Sequence, residues 1–240
     1  MGRHGVALEA EGESGLNAAG IAVRPYAAGD RDRVREITYR TGYMGEPADW
    51  YWGDFASFAD VWSSYYTDAE PESAFVAERA GRVVGYLLGC VSTAAAPSPA
   101  SAITRQMLRR SLLFRPGTAG FFWRCVGDTL RHPRLPSGEL SDPRWPSHLH
   151  INLLPEARGR GAGAALMRRW LDRLGSLGSP GCHLATLAEN TGGIAFFERS
   201  GFRRFGAPLL IPGMRLRAGG RMHQQLMVRD LAEAQPAYAG

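Results

Sequence analysis

The sequence contains no lysine; all 28 of its basic residues are arginine. A phosphate loop of the form Gly-x-x-x-x-Gly-Lys-Ser/Thr is therefore excluded. An all-arginine complement beside abundant Ala and Gly reads as the codon bias of a GC-rich genome. Cysteine is nearly absent: Cys90, Cys125 and Cys182 are an odd number and no pair has CxxC spacing. That excludes a disulfide framework and suits three reduced thiols in a cytoplasmic protein. No His, Cys and carboxylate cluster has metal-ligand spacing, so no metal is expected. There is no Gly-x-Ser-x-Gly elbow for a hydrolase. The longest apolar run, 83–91, is nine residues, against about 20 for a membrane-spanning helix, so no membrane partner is expected. Residues 1–20 hold acidic residues and no apolar run, which predicts a flexible tail rather than a signal peptide. The net charge of +5 is scattered, with arginine runs no longer than the pairs at 109–110, 168–169 and 203–204. Nucleic acid is thus not expected as a partner; local arginine suits a small anionic ligand equally well.

What remains is an ordinary globular composition, 45% hydrophobic and 21% charged over 240 residues, enough for one large domain. Strand, helix, helix, strand, strand is predicted over 21–25, 31–39, 54–66, 73–78 and 83–92, with Asp30 as a helix cap and Ala80-Gly81 as a hairpin turn. A 53-residue interlude follows at 94–146, with helical pieces near 107–114 and 121–130 between Pro-rich stretches. A connection that long is either a functional lid or pocket wall or a packed decoration. Then come a strand at 148–154, a helix from about 161, a strand at 182–188, a helix at 191–200 closed by Gly201, and strands at 202–205 and 224–229. On the strand at 148–154, His148, His150 and Asn152 face one way, and Leu149, Ile151 and Leu153 the other.

The informative segment is Arg158, Gly159, Arg160, Gly161, Ala162 and Gly163, between a strand and an amphipathic helix. Glycines leave the backbone amides uncovered there, and the helix dipole adds positive potential, which together suit a diphosphate. A dinucleotide-binding reading fails because 178–182 lacks the acidic residue expected about 20 positions on. Taken alone, the segment is also consistent with a plain structural turn.

Two matched motifs decide between these readings. Leu-x-Pro-x-x-Arg-x-x-Gly-x-Gly at 153–163 resembles motif A of the GNAT superfamily of acyl-CoA N-acyltransferases. Asn190 through Gly201-Phe202 resembles its motif B. The opening Val23-Arg24-Pro25 with Asp30 and the element order fit as well. The sequences at 24–42, 70–78, 82–89 and 148–161 further resemble bacterial acetyltransferases related to the acetyltransferase-like domain of O-GlcNAcase. The resemblance implies an α/β GNAT fold over 21–230. Its mixed central sheet would be splayed between strands 4 and 5, with a helical insertion between strands 3 and 4. It implies acetyl-CoA as cosubstrate and an amine acceptor, small molecule or protein, with a homodimer as one assembly. Backbone amides of 158–163 would hold the diphosphate. Ile151 and Leu153 would border the pantetheine, with the Leu153 amide polarising the thioester carbonyl. Asn190 would cap the motif-B helix or touch the pantetheine arm. Family members often place a carboxylate base on the fourth strand; the matching position here is His148, with His150 on the same face. Where motif B usually has a Tyr that protonates the thiolate, this chain has Phe197, so an efficient enzyme and a binding-only domain both stay open. Tyr43, Tyr51 and Tyr86 are alternative donors. Trp50, Tyr51 and Trp52 line an acceptor pocket or fill core. Glu46, Asp49 and Asp54 attract an amine or are merely solvated. His132 and His223 stand alone.

Overall fold

The structure, a computed structural model, describes residues 19–132 and 140–231. The expected tails lie largely outside that range, as does part of the Pro-rich return after 131. The elements are β1 (Ile21–Pro25), α1 (Arg31–Arg40), α2 (Phe55–Asp68), β2 (Ala74–Arg79), β3 (Arg82–Cys90), α3 (Pro99–Arg109), α4 (Ala119–Arg131), β4 (Ser147–Leu153), α5 (Ala162–Ser176), β5 (Gly181–Leu187), α6 (Thr191–Arg199), β6 (Arg203–Arg215) and β7 (Arg221–Asp230). The strands form one sheet in the order β1-β2-β3-β4-β5-β7-β6. Only β4 and β5 run parallel among the described neighbours. This is the mixed α/β sheet expected, with α3 and α4 inserted between β3 and β4.

Local chemistry explains most boundaries. Ala80 and Gly81 both take positive φ, +48° and +73°, the left-handed pair a two-residue hairpin needs. Asp54 caps α2 by accepting the Ser57 amide at 2.8 Å. Asp30 starts α1 but does not cap it. Its carboxylate pairs with Arg24 at 2.7 Å and accepts the Ala27 amide at 2.9 Å, and the Arg24 hydrogen bond holds it below the usual carboxylate range.

Two elements differ from the sequence expectation. The first insertion helix starts at Pro99, not near 107. Ser98 accepts the Ser101 amide at 3.3 Å and Pro99 opens the first turn, so a Pro- and Ser-rich stretch that read as a hinge is a helix start. Strand β6 runs far past residue 205, because register shifts at Phe205/Leu209 and Leu210/Arg215 absorb its Gly and Pro residues.

The sheet buries both faces. Leu166, Met167, Trp170 and Leu174 of α5 pack with Leu87, Leu149, Ile194 and Phe197 on one face. Val34, Ile37 and Tyr66 of α1 and α2 pack with Val76, Tyr86 and Leu88 on the other. A third cluster joins Tyr51, Trp52, Phe58, Leu112, Phe121 and Phe122 to Met214 and Met222. It fastens the insertion to the far end of β6 and β7. There Asp128 of α4 accepts the Gly213 amide at 2.9 Å and pairs with Arg215 at 2.8 Å. Gly89 of β3 lies directly under the Trp170 indole, where a Cβ would collide with the ring. Gly89→Ala should therefore destabilise the fold by about 1–3 kcal/mol through overpacking, read as a lower denaturant midpoint. An unchanged midpoint would mean the indole moves aside freely.

Candidate active site

Strands β4 and β5 pair only at Ser147↔Cys182 and His148↔His183. Beyond these, β5 follows β7 over its whole length and a gap opens beside β4. The Leu154 amide donates to the Val84 carbonyl at 2.9 Å. Alternation along the antiparallel β3–β4 ladder then turns the amides of Ile151 and Leu153 toward the gap.

The cradle lies where β4 ends. Gly159 and Gly161 have φ of +68° and +80°, conformations that favour glycine. A Cβ on Gly159 would meet nothing within 4 Å, so the turn presents bare backbone. Gly161 precedes α5, and the first amide bonded within that helix is Ala165, to the Gly161 carbonyl at 3.0 Å. The first-turn donors are thus Ala162, Gly163 and Ala164; Ala164 is an addition that a helix starting at 162 rather than 161 brings in. Gly163 allows close approach, since a Cβ there would stand 3.1 Å from Phe196. One expectation is corrected. The Arg158 amide is already donated to the Pro155 carbonyl at 3.2 Å, so the cradle begins at Gly159. The Arg158 guanidinium instead ties the loop down, donating to the Leu153 carbonyl at 2.9 Å and the Gly45 carbonyl at 2.5 Å. The Arg160 side chain is exposed beside the cradle.

Asn190 caps α6, its side chain accepting the Gly193 amide at 3.0 Å. Phe197 is only 8% exposed and sits in the core under α6. Its neighbour Phe196 is the ring that reaches Gly163.

The two β4 histidines differ sharply. His148 is buried, with Nε2 bonded to the Tyr66 hydroxyl at 2.9 Å and Nδ1 to the Thr93 hydroxyl at 2.7 Å. Burial, reinforced by His150 and His183, pushes its imidazole well below the usual range. His150 lies on the same face, edge-on to Trp62 and Tyr66 at 5.9 and 5.2 Å. It lines a cavity of about 340 Å³ between α2, α3 and β4. Burial brings its imidazole down to about 4, so at neutral pH it carries a lone pair and no charge.

The remaining candidates are mostly structural. Tyr51 and Trp52 are buried in the third cluster, whereas Trp50 is at the surface beside Arg217. The Tyr51 hydroxyl donates to the Gly42 carbonyl, the Tyr86 hydroxyl bonds Thr38, and the Tyr43 hydroxyl accepts the Arg217 amide. Asp54 is engaged by Arg115 and Glu46 by Arg217. His223 does not stand alone: its Nδ1 lies 2.9 Å from Glu189 at the end of β5. Residues 34 positions apart give no sequence signal of this pair, nor of the bond between His132 and Arg221. Among the described residues no His, Cys and carboxylate group could hold a metal ion, and no helix is long and apolar enough to cross a membrane.

A gap between parallel strands, opening onto a glycine cradle at a helix N-terminus, suits an extended arm carrying a diphosphate. Known proteins agree. Residues 117–202 match the acetyltransferase (GNAT) family model. The crystal structure of SsHAT superposes with a TM-score of 0.60 at 28% identity, covering 89% of this chain and all of that one. Residues 117–202 thus resemble the acetyltransferase (GNAT) family, and the chain shares the fold of that structure. More distant structures share the fold. One is yncA from Salmonella typhimurium, determined with its cofactor acetyl-CoA (TM-score 0.54, 15% identity, 92% of this chain and 99% of that one). Another is a GCN5-related N-acetyltransferase from Kribbella flavida (TM-score 0.52, 18% identity, 90% of this chain and 100% of that one).

Proposed function

We propose that this chain is a GNAT-type acetyltransferase that moves an acetyl group from the CoA thioester of acetyl-CoA to an amine bound on the α1–α2 face of β4, with His150 as the base. The observation that carries this reading is the β4–β5 gap, which opens directly onto the Gly159–Gly163 cradle. Amides of Gly159, Arg160, Gly161, Ala162 and Gly163 hold the diphosphate, helped by the helix dipole. Ile151 and Leu153 border the pantetheine, and the Leu153 amide donates to the thioester carbonyl oxygen. Arg158 acts by positioning, since it fixes the end of β4. Asn190 shapes the mouth of the gap as the cap of α6, and Phe197 packs beneath the sulfur. The amine nitrogen bonds to the acetyl carbon, the carbon–sulfur bond breaks, and the amine proton passes to the free nitrogen of His150 directly or through water. The thiolate, with a pKa near 8.5, leaves without a tyrosine.

Between the two histidines, the cavity favours His150. His148 uses both ring nitrogens within the fold, and its role becomes that of a support beneath His150. The catalytic domain would span 21–230, with 94–146 as its insertion. A cytoplasmic enzyme of the bacterial branch related to the acetyltransferase-like domain of O-GlcNAcase suits the motif likeness. Phe197 and the low basicity of His150 favour a second reading, an acetyl-CoA-binding module without efficient turnover. Titration calorimetry with acetyl-CoA, followed by thiol release over an amine panel, separates the two. His150→Gln should lower kcat by about 10²–10⁴ and leave the acetyl-CoA Kd unchanged. Undiminished turnover would remove His150 from the reaction.

A further inference from the structure

We infer that the cavity between α2, α3 and β4 selects an acceptor amine that also carries an anionic group, a carboxylate or phosphate, held by Arg105 and Arg109. This rests on the acetyltransferase reading and names the substrate class on its acceptor side. At about 340 Å³ the cavity admits a molecule of amino-acid size. His150 and the rings of Trp62, Tyr65 and Tyr66 line one part of it, and Arg105 and Arg109 of α3 another.

The charges are unbalanced. The lining carboxylate, Asp60, is already committed: Arg35 engages one oxygen, while Gln106 donates to the other at 3.2 Å and Arg110 approaches it to 3.7 Å. Arg105 and Arg109 have no acidic partner among the described residues. They stand four residues apart on one helix, hence on one face, where like charges repel. An anion between them relieves that repulsion and accepts paired N–H donors from planar guanidinium groups. An amine lacking such a group would find aromatic walls, a neutral imidazole and a neutralised Asp60. Only the aromatic faces would favour its ammonium form, while its acid-bearing counterpart also gains two charged hydrogen-bonding partners.

The test uses reaction products, so binding is read without turnover. N-acetylphenylalanine, N-acetylphenethylamine and N-acetyl-phosphoethanolamine are titrated calorimetrically into wild type and into the Arg105→Gln/Arg109→Gln double variant. Both arginines are solvent-exposed, so the variant should melt like wild type. At least one acidic ligand should bind wild type roughly tenfold tighter than the neutral one, and which one identifies the group read. The double variant should lose that preference and keep its affinity for acetyl-CoA. Equal affinities in wild type, no binding at millimolar ligand, or a preference that survives in the double variant would overturn the inference. Failure of the acetyltransferase reading looks different: acetyl-CoA would not bind, or the parent amines would not be acetylated, whatever the ligand preference.

Discussion

Gly161→Asp should raise the acetyl-CoA Kd by about a hundredfold or more while costing the fold less than about 2 kcal/mol. Both halves follow from one position. Gly161 is the cap residue of α5, with φ at +80°. A residue with a Cβ pays about 1–2 kcal/mol there, and Asp or Asn, whose short polar side chain bonds locally, pays least. Asp is also a favoured helix cap, so part of that cost returns as a bonded first-turn amide and a better match to the dipole. The same carboxylate would stand at the proposed diphosphate site. Two like charges about 4 Å apart repel by about 4 kcal/mol at an effective dielectric of 20, and the amide that the carboxylate captures is lost to the ligand. Repulsion therefore outweighs the small conformational cost. Gly161→Asn has nearly the same shape and no charge, and should cost about tenfold or less. Calorimetric titration of both variants checks the argument. If Asp and Asn weaken acetyl-CoA equally, the effect is backbone strain and the cradle does not read charge. If neither weakens it, the diphosphate lies elsewhere.

The cradle was legible because its requirements are local. Bare amides, positive φ and a helix start must lie within a few residues, and the glycines at 159, 161 and 163 write that into consecutive positions. The alternation of β4 was legible for the same reason. Whether Leu149, Ile151 and Leu153 share a face depends only on their spacing. What stayed hidden depends on tertiary partners. Nothing near residue 148 shows that Tyr66 and Thr93 occupy both ring nitrogens, so the two histidines looked equivalent. Nothing near residue 158 says that its amide turns back onto Pro155. The third hydrophobic cluster draws on the 43–52 loop, the insertion and the far end of β6 and β7. Trp52 therefore reads equally well as pocket lining or as core until those segments are brought together. The start of α3 is a different kind of miss. Ser98-Pro99 is a local signal, but loops and helix starts share it, and only the amphipathic face that follows separates them.

Stability should fall steeply between about pH 6.5 and pH 4, earlier than acid loss from carboxylates would bring. His148, His150 and His183 form one group, with the 148–183 and 148–150 ring centroids 5.6 and 6.1 Å apart. Burial lowers all three imidazoles below 6.5, His150 to about 4. The His183 Nδ1 is bonded to the Trp145 carbonyl at 2.8 Å, while its buried Nε2 has no partner among the described residues, so a proton added there would enter without an acceptor from them. The sign follows from proton counts. Above 6.5 both folded and unfolded chains hold these histidines neutral, and their contribution is fully present. Between 6.5 and 4 the unfolded chain takes up protons that the folded chain refuses, so unfolding gains ground as pH falls. For His150 alone the difference between about 4 and 6.5 is worth about 3 kcal/mol, a large part of a typical domain stability of about 5–15 kcal/mol. The ion-paired carboxylates Asp30, Glu36 and Asp68 also lose stabilisation in acid, but theirs is present above the unfolded values of 3.8 to 4.5 and fades as pH drops below that range. The upper window therefore belongs to the histidines. Urea titrations at pH 7, 6, 5 and 4.5 should show the unfolding free energy dropping by several kcal/mol, with more than one proton taken up on unfolding near pH 5. His150→Gln, which keeps a polar side chain without titrating, should flatten the curve by about one proton. A flat profile down to pH 4.5 would mean that the folded protein protonates these rings as readily as the unfolded chain does, so that burial does not hold them neutral.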